Sequence, residues 1–343
     1  MTMPATTAPA AAPAPAPVRA PLPDPFPAAR YRLQFEVERP IRLPEYAGSA
    51  LRGVFGHALR RLACVTRERD CKACALYRSC PYPAVFETPP PPDARRVYSE
   101  IPHPFVVEPP PRGARDFAVG AQLDLHLVLI GPALAQLPLV LMAWQRALEI
   151  GLGPAEGTAR LRCVQVEGEA EPVLADPRSR LREHAAHVAL PAADAAPAEA
   201  TLEFVTPLRL KRDGHALGVG SLAPADLLMA LVRRGAELCE LQLGHAPGWD
   251  FAALKRAAAA VAGDKQLAWR DWTRWSNRQR QHMTLGGAVG RWRLAGDLRP
   301  FWPLLHLGQW LHVGGKATFG LGQYRLLPCR AEAPAITPAG SPP

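Results

Sequence analysis

The chain has 343 residues, enough for two ordinary domains, and 40 Lys and Arg against 31 Asp and Glu give it a formal charge of +9. With 48% hydrophobic and 21% charged residues it reads as globular, and its basic excess favours a polyanionic partner, most simply nucleic acid. A membrane span is excluded by the longest apolar run, Leu123 to Met142, which is broken by Asp124, His126, Gly131, Pro132, Gln136 and Pro138.

In chain order, residues 1–26 alternate Pro with Ala, carry little to bury and are expected to be disordered. They lack the compact apolar core of a secretory signal, so a cytoplasmic protein is expected. A first domain is expected over 27–169. Tyr31, Leu33, Phe35 and Val37 alternate with polar residues as in a strand. Ser49 to Cys64 carries Leu51, Val54, Phe55, Ala58 and Leu62 at helical spacing. Tyr98 to Glu108, with its prolines, reads as an edge strand and Leu123 to Ile130 as a buried one. Leu134 to Ile150 reads as a helix ending at Gly151, and Leu161 to Val166 as a closing strand. Residues 170–200, rich in Ala, Pro and charge, read as an interdomain linker.

A second domain, expected over 201–330, repeats the order. Leu202 to Leu210 is a strand, Pro224 to Leu241 a helix, Leu267 to Trp275 and Leu285 to Leu294 strands, Leu298 to Leu311 a helix and Thr318 to Leu327 a strand. Residues 331–343 form a second tail expected to be disordered. Each half thus reads βαββαβ. The expected class is α+β, two tandem ferredoxin-like domains with the strand order of RNA-recognition modules.

Four of seven cysteines cluster as Cys64, Cys71, Cys74 and Cys80, a CxxC pair with two flanking thiols. In a chain without an export signal, this suggests a metal site inside an insertion over 64–95 in the first domain. Zinc is the default ion for four thiolates, with an iron–sulfur cluster less favoured. Its role would be structural.

The chemistry-bearing residues of the second half are arginines, tryptophans and glycines. Trp269 to Arg280 interleaves aromatic rings with guanidinium groups, which suits stacked bases and phosphates. In a strand Trp269, Asp271, Thr273 and Trp275 share one face and Arg270, Trp272 and Arg274 the other. Gly314, Gly315, Lys316, Gly320 and Gly322 join the last helix to the last strand, and glycines let backbone N–H groups approach a phosphate. No nucleotide-binding P-loop is present.

Trp272-Thr-Arg-Trp-Ser-Asn-Arg-Gln279, Met283-Thr-Leu-Gly-Gly-Ala-Val-Gly290 and Leu311-His-Val-Gly-Gly-Lys-Ala-Thr-Phe-Gly-Leu-Gly-Gln-Tyr324 together resemble the C-terminal domain of the endoribonucleases that process CRISPR precursor RNA, members of the RAMP superfamily. Leu51-Arg-Gly-Val-Phe-Gly-His-Ala-Leu-Arg60, the cysteine cluster and Phe86-Glu-Thr-Pro89 resemble the N-terminal half of one branch. One departure is His312, which stands where the family's loop often has its first glycine. The resemblance implies metal-independent cleavage of CRISPR repeat RNA: a 2′-hydroxyl attacks the adjacent phosphate, leaving a 2′,3′-cyclic phosphate and a 5′-hydroxyl. It also implies a histidine on the first helix as proton carrier. His57 lies off that helix's apolar stripe and is the first candidate, with Tyr46, Arg60 and Arg61 assisting and His282, His306 and His312 in reserve. The RNA-contacting residues expected are Arg52, Arg270, Arg274, Trp275, Arg278, His312, Gly314, Gly315, Lys316, Gly320 and Gly322. The implied partners are repeat RNA and a CRISPR effector complex, with monomer or homodimer both open. Two other readings are a catalytically silent RNA-binding subunit of the same fold and a cysteine-metal DNA-binding regulator.

Overall fold

The computed structural model describes residues 22–328 apart from 91–100, 111–114, 153–156 and 277–280, and for 272–276 and 281–285 it describes the backbone only. The chain forms two four-stranded antiparallel sheets, each backed by helices. In the first half, β1 (Ala28–Val37), α1 (Gly48–Ala63), β2 (Phe105–Glu108), β3 (Gln122–Ile130), α2 (Leu137–Ile150) and β4 (Ala159–Val166) follow one another, and the strands lie in the order β2-β3-β1-β4. The second half has β5 (Glu199–Leu208), α3 (Pro224–Gln242), α4 (Phe251–Ala259), β6 (Ala262–Ser276), β7 (Gln281–Ala295), α5 (Trp302–Leu311) and β8 (Tyr324–Leu327), in the order β6-β7-β5-β8. Both are the ferredoxin-like arrangement expected from the repeated pattern, in which the central strands are the first and third of each unit.

Alternation decides which core each side chain joins. In β1, Tyr31, Leu33 and Phe35 face α1 and α2 within the first domain's core, with Phe55 stacked on Trp144 at 4.9 Å between ring centroids. Residues of the opposite parity, Ala28 in β1, Val106 in β2 and Val128 and Ile130 in β3, form a second apolar cluster with Leu238 and Cys239 of α3 and Leu307 and Leu311 of α5. The first sheet is therefore covered on both faces: by its own helices on one and by the second domain on the other. Even the edge strand β2 is buried at all four residues.

Several boundaries differ from expectation. Phe26, counted with the N-terminal tail, is fully buried and bridges Val188, so ordered chain begins before it; residues 1–21 lie outside the described set. The segment read as a linker is pinned, because Val173 and Leu174 enter the first core and Val188 the interdomain cluster. Helix α4 was not foreseen. The last strand starts at Tyr324 and not at Thr318, because Gly320 and Gly322 take φ of +84° and +70° and turn the chain. Strands β6 and β7 are longer than expected and pair along their whole length, from Ala262↔Ala295 to Ser276↔Gln281.

A buried polar network crosses the domain boundary. Glu108 at the end of β2 is 3% exposed and accepts a 2.8 Å hydrogen bond from Nε2 of His312, which is 0% exposed and follows α5. Arg30 of β1 pairs with Glu108 at 3.1 Å and Glu167 at 2.9 Å and donates to the carbonyl of Gln309. Burial alone would raise the Glu108 carboxyl, but the His312 hydrogen bond and the Arg30 guanidinium outweigh it and hold the group at about 2. Burial keeps His312 below its ordinary range, against the pull of the carboxylate.

Because Glu108 is held below its unfolded value, its contribution is complete above about pH 4.5 and disappears as pH falls through about 2. Glu108→Gln should cost about 3 kcal/mol at pH 7, the usual size for one partner lost from a buried ion pair. Urea unfolding midpoints of the two proteins, measured from pH 7 down to pH 2, should converge at the acid end; a pH-independent gap would mean that the carboxylate charge is not what is lost.

Candidate nucleic-acid interface

Helix α1 presents three different surfaces. Leu51, Phe55, Ala58 and Leu59 are buried in the first core. A second side meets the second domain: a Cβ on Gly48 would come within 1.8 Å of the Phe319 carbonyl oxygen, and Tyr46, just before the helix, is buried against Leu321. Between these, the Arg52 guanidinium lies 4.0 Å from the Phe86 ring centroid and 5.3 Å from that of Phe319. This is cation–π packing across the domain junction. The third surface is exposed and carries Gly53, His57 and Arg61. These residues are four apart, so they form one stripe, each about 5–6 Å from the next.

The segment from Val313 to Gly322 wedges between the two domains. Gly320 turns at φ +84°, and a Cβ there would sit 2.6 Å from the Val107 carbonyl oxygen in β2. Three of the loop's four glycine N–H groups are committed inside the protein: Gly315 donates to Arg209 O at 2.8 Å, Gly322 to Pro207 O at 3.0 Å and Gly320 to Ala317 O at 2.8 Å. Gly314, Gly315 and Lys316 are half-buried and reach the surface, whereas Gly320 and Gly322 are buried. The glycines therefore serve chain packing first. As surface-reaching members of the expected RNA-binding loop they reduce to Gly314, Gly315 and Lys316.

His312 is a correction of the same kind. Its side chain is enclosed and both ring nitrogens face protein acceptors, Glu108 and the Leu321 carbonyl at 3.2 Å, so it does not reach the surface. Its positive φ of 58° lets the ring turn inward at the end of α5.

Next to the loop, β7 pairs with β5 from Ala288 onward, so the last seven residues of β6, Arg270–Ser276, and their partners in β7 form a two-stranded ribbon beyond the sheet. At 3.3–3.4 Å per residue this overhang extends roughly 23 Å. At its root Arg209 donates to Gly286 O at 3.0 Å, and Gly286 leaves room for the Trp269 ring, whose Nε1 donates to Asp271 at 2.8 Å. Trp269 and Asp271 share a face as the alternation predicted, and Arg270 is exposed. Arg274 and Trp275 lie on the overhang; Arg278 falls outside the described residues. Arg209, whose backbone holds Gly315 while its side chain holds the ribbon root, was not among the residues the sequence singled out; its place immediately after the end of β5 was the available signal.

The expected catalytic set is not brought together as a unit. Tyr46 and His57 stand at opposite ends of more than two helical turns, about 15 Å apart along the axis. Arg60 turns away to donate to the carbonyls of Glu68 and Arg69 at 2.6 and 2.7 Å and lies over the Tyr82 ring. His57 and Arg61 remain as an exposed pair. Cys64, Cys71, Cys74 and Cys80 all line one small cavity below the helix end, but among the described residues no group of three His, Cys, Asp or Glu is set to hold a metal ion. Among those residues no helix is long and apolar enough to cross a membrane.

Two family models cover the described domains. Residues 26–186 match one described as an N-terminal domain, and residues 202–324 match that of the CRISPR-associated endoribonuclease Cas6. No protein of curated function matches the chain. Among solved structures it is similar to a Cas6 product complex, with TM-score 0.54, 18% identity, and coverage of 88% of this chain and 100% of that one. Thermus thermophilus Cas6 is similar at TM-score 0.51 and 16% identity over 88% of this chain and 99% of that one. A chain of a Cas6-RT-Cas1–Cas2 complex gives 0.53 and 14% over 89% of this chain and 29% of that one. At these identities the likeness is one of fold, the tandem ferredoxin-like arrangement.

Gly48 and Gly53 make a sharp contrast on one helix, since a Cβ at Gly48 meets backbone at 1.8 Å and one at Gly53 meets nothing within 4 Å. Gly48→Ala should destabilise the protein by about 1–3 kcal/mol through overpacking. Gly53→Ala should stabilise it by roughly 0.5–1 kcal/mol through helix propensity. Chemical denaturation of both variants checks the pair; a destabilised Gly53→Ala would show that this face is packed after all.

Proposed function

We propose that this chain, whose residues 202–324 match the model of the CRISPR-associated endoribonuclease Cas6, is a member of that family and cuts CRISPR repeat RNA at the exposed face of α1 by attack of a 2′-hydroxyl on the neighbouring phosphate. The observation that carries this reading is the His57–Arg61 pair, the solvent-facing basic stripe on the helix against which the glycine segment docks. In the reaction the 2′-oxygen forms a bond to phosphorus as the 5′-oxygen leaves. One proton departs from the 2′-hydroxyl and one arrives on the leaving oxygen, giving a 2′,3′-cyclic phosphate and a 5′-hydroxyl. An imidazole suits either transfer near neutral pH. The Arg61 guanidinium, one turn on, supplies charge for the crowded phosphate oxygens of the transition state.

Binding is a separate matter from cutting. The ribbon of β6 and β7, with Arg270, Arg274 and Trp275, and the surface-reaching Gly314, Gly315 and Lys316 supply cations, rings and open backbone for single-stranded RNA. Gly53 has no internal reason to lack a side chain, and it lies one turn before His57. An RNA backbone lying close along this face gives it one. Association with larger CRISPR assemblies fits the Cas6 chain found in a Cas6-RT-Cas1–Cas2 complex, although here it rests on likeness of fold.

The deciding experiment incubates the full chain with repeat RNA from its own locus, with and without magnesium, beside the same RNA carrying a 2′-deoxy nucleotide at the cut. The expected result is a single cut that needs no magnesium and is blocked by the deoxy substitution. Binding without cutting would favour the silent RNA-binding subunit. His57→Ala should slow cleavage about 100- to 10,000-fold, the usual worth of a positioned acid or base, while leaving RNA affinity within about twofold. A cleavage rate unchanged by that substitution would remove His57 from the mechanism. Arg270→Ala should do the reverse, weakening binding and flattening its salt dependence by about one phosphate contact with a smaller effect on the saturated rate.

A further inference from the structure

Residues 64–80 are thinly held: Cys71 reaches the first core, Tyr77 and Cys80 pack against it, and Arg60 donates to the carbonyls of Glu68 and Arg69. The stretch leaves α1 at Cys64 and returns at Cys80 with only one three-residue 3-10 turn, Cys71–Ala73. From Val65 to Ser79 a single residue is buried, and it is a cysteine, Cys71. Val65 is 78% exposed and Leu76 40%. A segment this long without an apolar core of its own needs a cross-link or an ion to hold it. Nevertheless it is the strut for α1. Immediately after Cys80 the turn at Pro83–Glu87 delivers Phe86 onto Gly56, where a Cβ would come within 2.2 Å of the ring, and onto the Arg52 guanidinium.

All four cysteines of this segment face the same cavity, and no histidine joins them in its lining. Backbone hydrogen bonds fix their spacing: Cys74 N–H donates to Cys71 O at 3.1 Å, and Cys80 N–H to Leu76 O at 2.8 Å. The Thr66 hydroxyl lies between two of the sulfurs, 3.3 Å from Cys74 and 3.9 Å from Cys64. In these rotamers no three ligands are set to hold an ion. We propose that Cys64, Cys71, Cys74 and Cys80 bind one zinc ion, which displaces the Thr66 hydroxyl from between the thiols and draws the four sulfurs together. Zinc–sulfur bonds of about 2.3 Å in a tetrahedron set the sulfurs about 3.8 Å apart, a span the four side chains reach in this proposal by rotating within the one cavity they line. Each thiol gives up its proton on binding, so the site carries two negative charges. The flanking Arg60, Arg61, Arg67, Arg69, Lys72 and Arg78 offset that charge. The ion is structural: with four protein thiolates it has no open position for substrate. The inference rests on the cavity alone and stands whether or not the chain cuts RNA.

The test uses the full chain purified under reducing conditions. Elemental analysis should find about one zinc per chain, and a thiol-blocking mercurial should release it, as for a closed thiolate site. Cobalt exchanged for zinc should show the intense thiolate-to-metal absorption of a tetrahedral sulfur site. Cys71→Ser should retain less than about a tenth of the metal, and Cys163→Ser, outside the cavity, should keep all of it. Should Cys71→Ser fail to fold, chelator stripping of the folded wild-type chain serves instead. Protease cleavage between 64 and 80 should then accelerate at least about tenfold and be reversed by added zinc. Metal-free protein with unchanged protease resistance, a Cys71–Cys74 disulfide in its place, or iron with inorganic sulfide instead of zinc would each overturn the assignment.

Discussion

The structure turns on a carboxylate that crosses from one domain to the other. Glu108 ends the edge strand of the first sheet, and both groups that compensate its burial come from different elements: Arg30 from β1 and His312 from the turn after α5. A buried carboxylate without partners would be neutral or would draw in water. With Arg30 and His312 it stays ionised, and the His312 contact exists only when the domains are docked. The apolar cluster around Val128, Ile130, Leu238 and Leu307 supplies the area of the interface, which is non-directional. The Glu108 network supplies its register, because a hydrogen bond of 2.8 Å tolerates little sliding. Arg30 extends that register by holding the carbonyl of Gln309, one turn before the glycine segment.

With the register set, the glycine segment takes on a different meaning from the one its composition suggests. A run rich in glycine beside a lysine invites a phosphate cradle, yet three of its four glycine N–H groups are spent on Pro207, Arg209 and Ala317. What the glycines permit is approach of one backbone to another: Gly320 to β2, Gly322 to Val313, and Gly48 across the junction to Phe319. The loop is a spacer cut to fit two domains, and only its tip from Gly314 to Lys316 is left for a ligand. The same logic separates Gly53 from the others, since nothing inside the protein asks for it.

Elements whose signals are local were legible in the sequence. The alternation in β1, the apolar stripe of α1 and the repeated βαββαβ order needed only period-two and period-3.6 patterns, and the exposed position of His57 followed from the same stripe. The second face of the first sheet was not legible. Tyr98 to Glu108 read as an edge strand, and nothing near Val106 and Glu108 in sequence says that α5, two hundred residues on, covers them. His312 was taken for a ligand contact for that reason: its partner Glu108 lies far away in sequence. Helix α4 was missed despite a readable cue, Asp250, whose side chain accepts from Ala253 N at 2.9 Å and caps the Ala-rich run. The ribbon's length was underestimated at the strand ends, although the expected strand already ran through Gly286, Gly287 and Gly290. In the fold they make room for Trp269, for the Leu208 carbonyl and for a bulge against β5.

Helix α1 ties these constraints to the site. Its first turn is clamped by the second domain through Gly48 and Phe319, its middle by Arg52 between Phe86 and Phe319, and its last turn by Arg60 holding the cysteine segment. A helix is rigid over this length, so fixing both ends fixes the direction in which His57 and Arg61 point. No residue of the stripe needs internal partners to be held in place. Polar groups that are held but not used inside the protein suit the proposed reaction at a phosphate, because their hydrogen-bonding capacity is left for a ligand. Docking of the domains and positioning of the histidine are thus one mechanical problem, with the same helix as its solution.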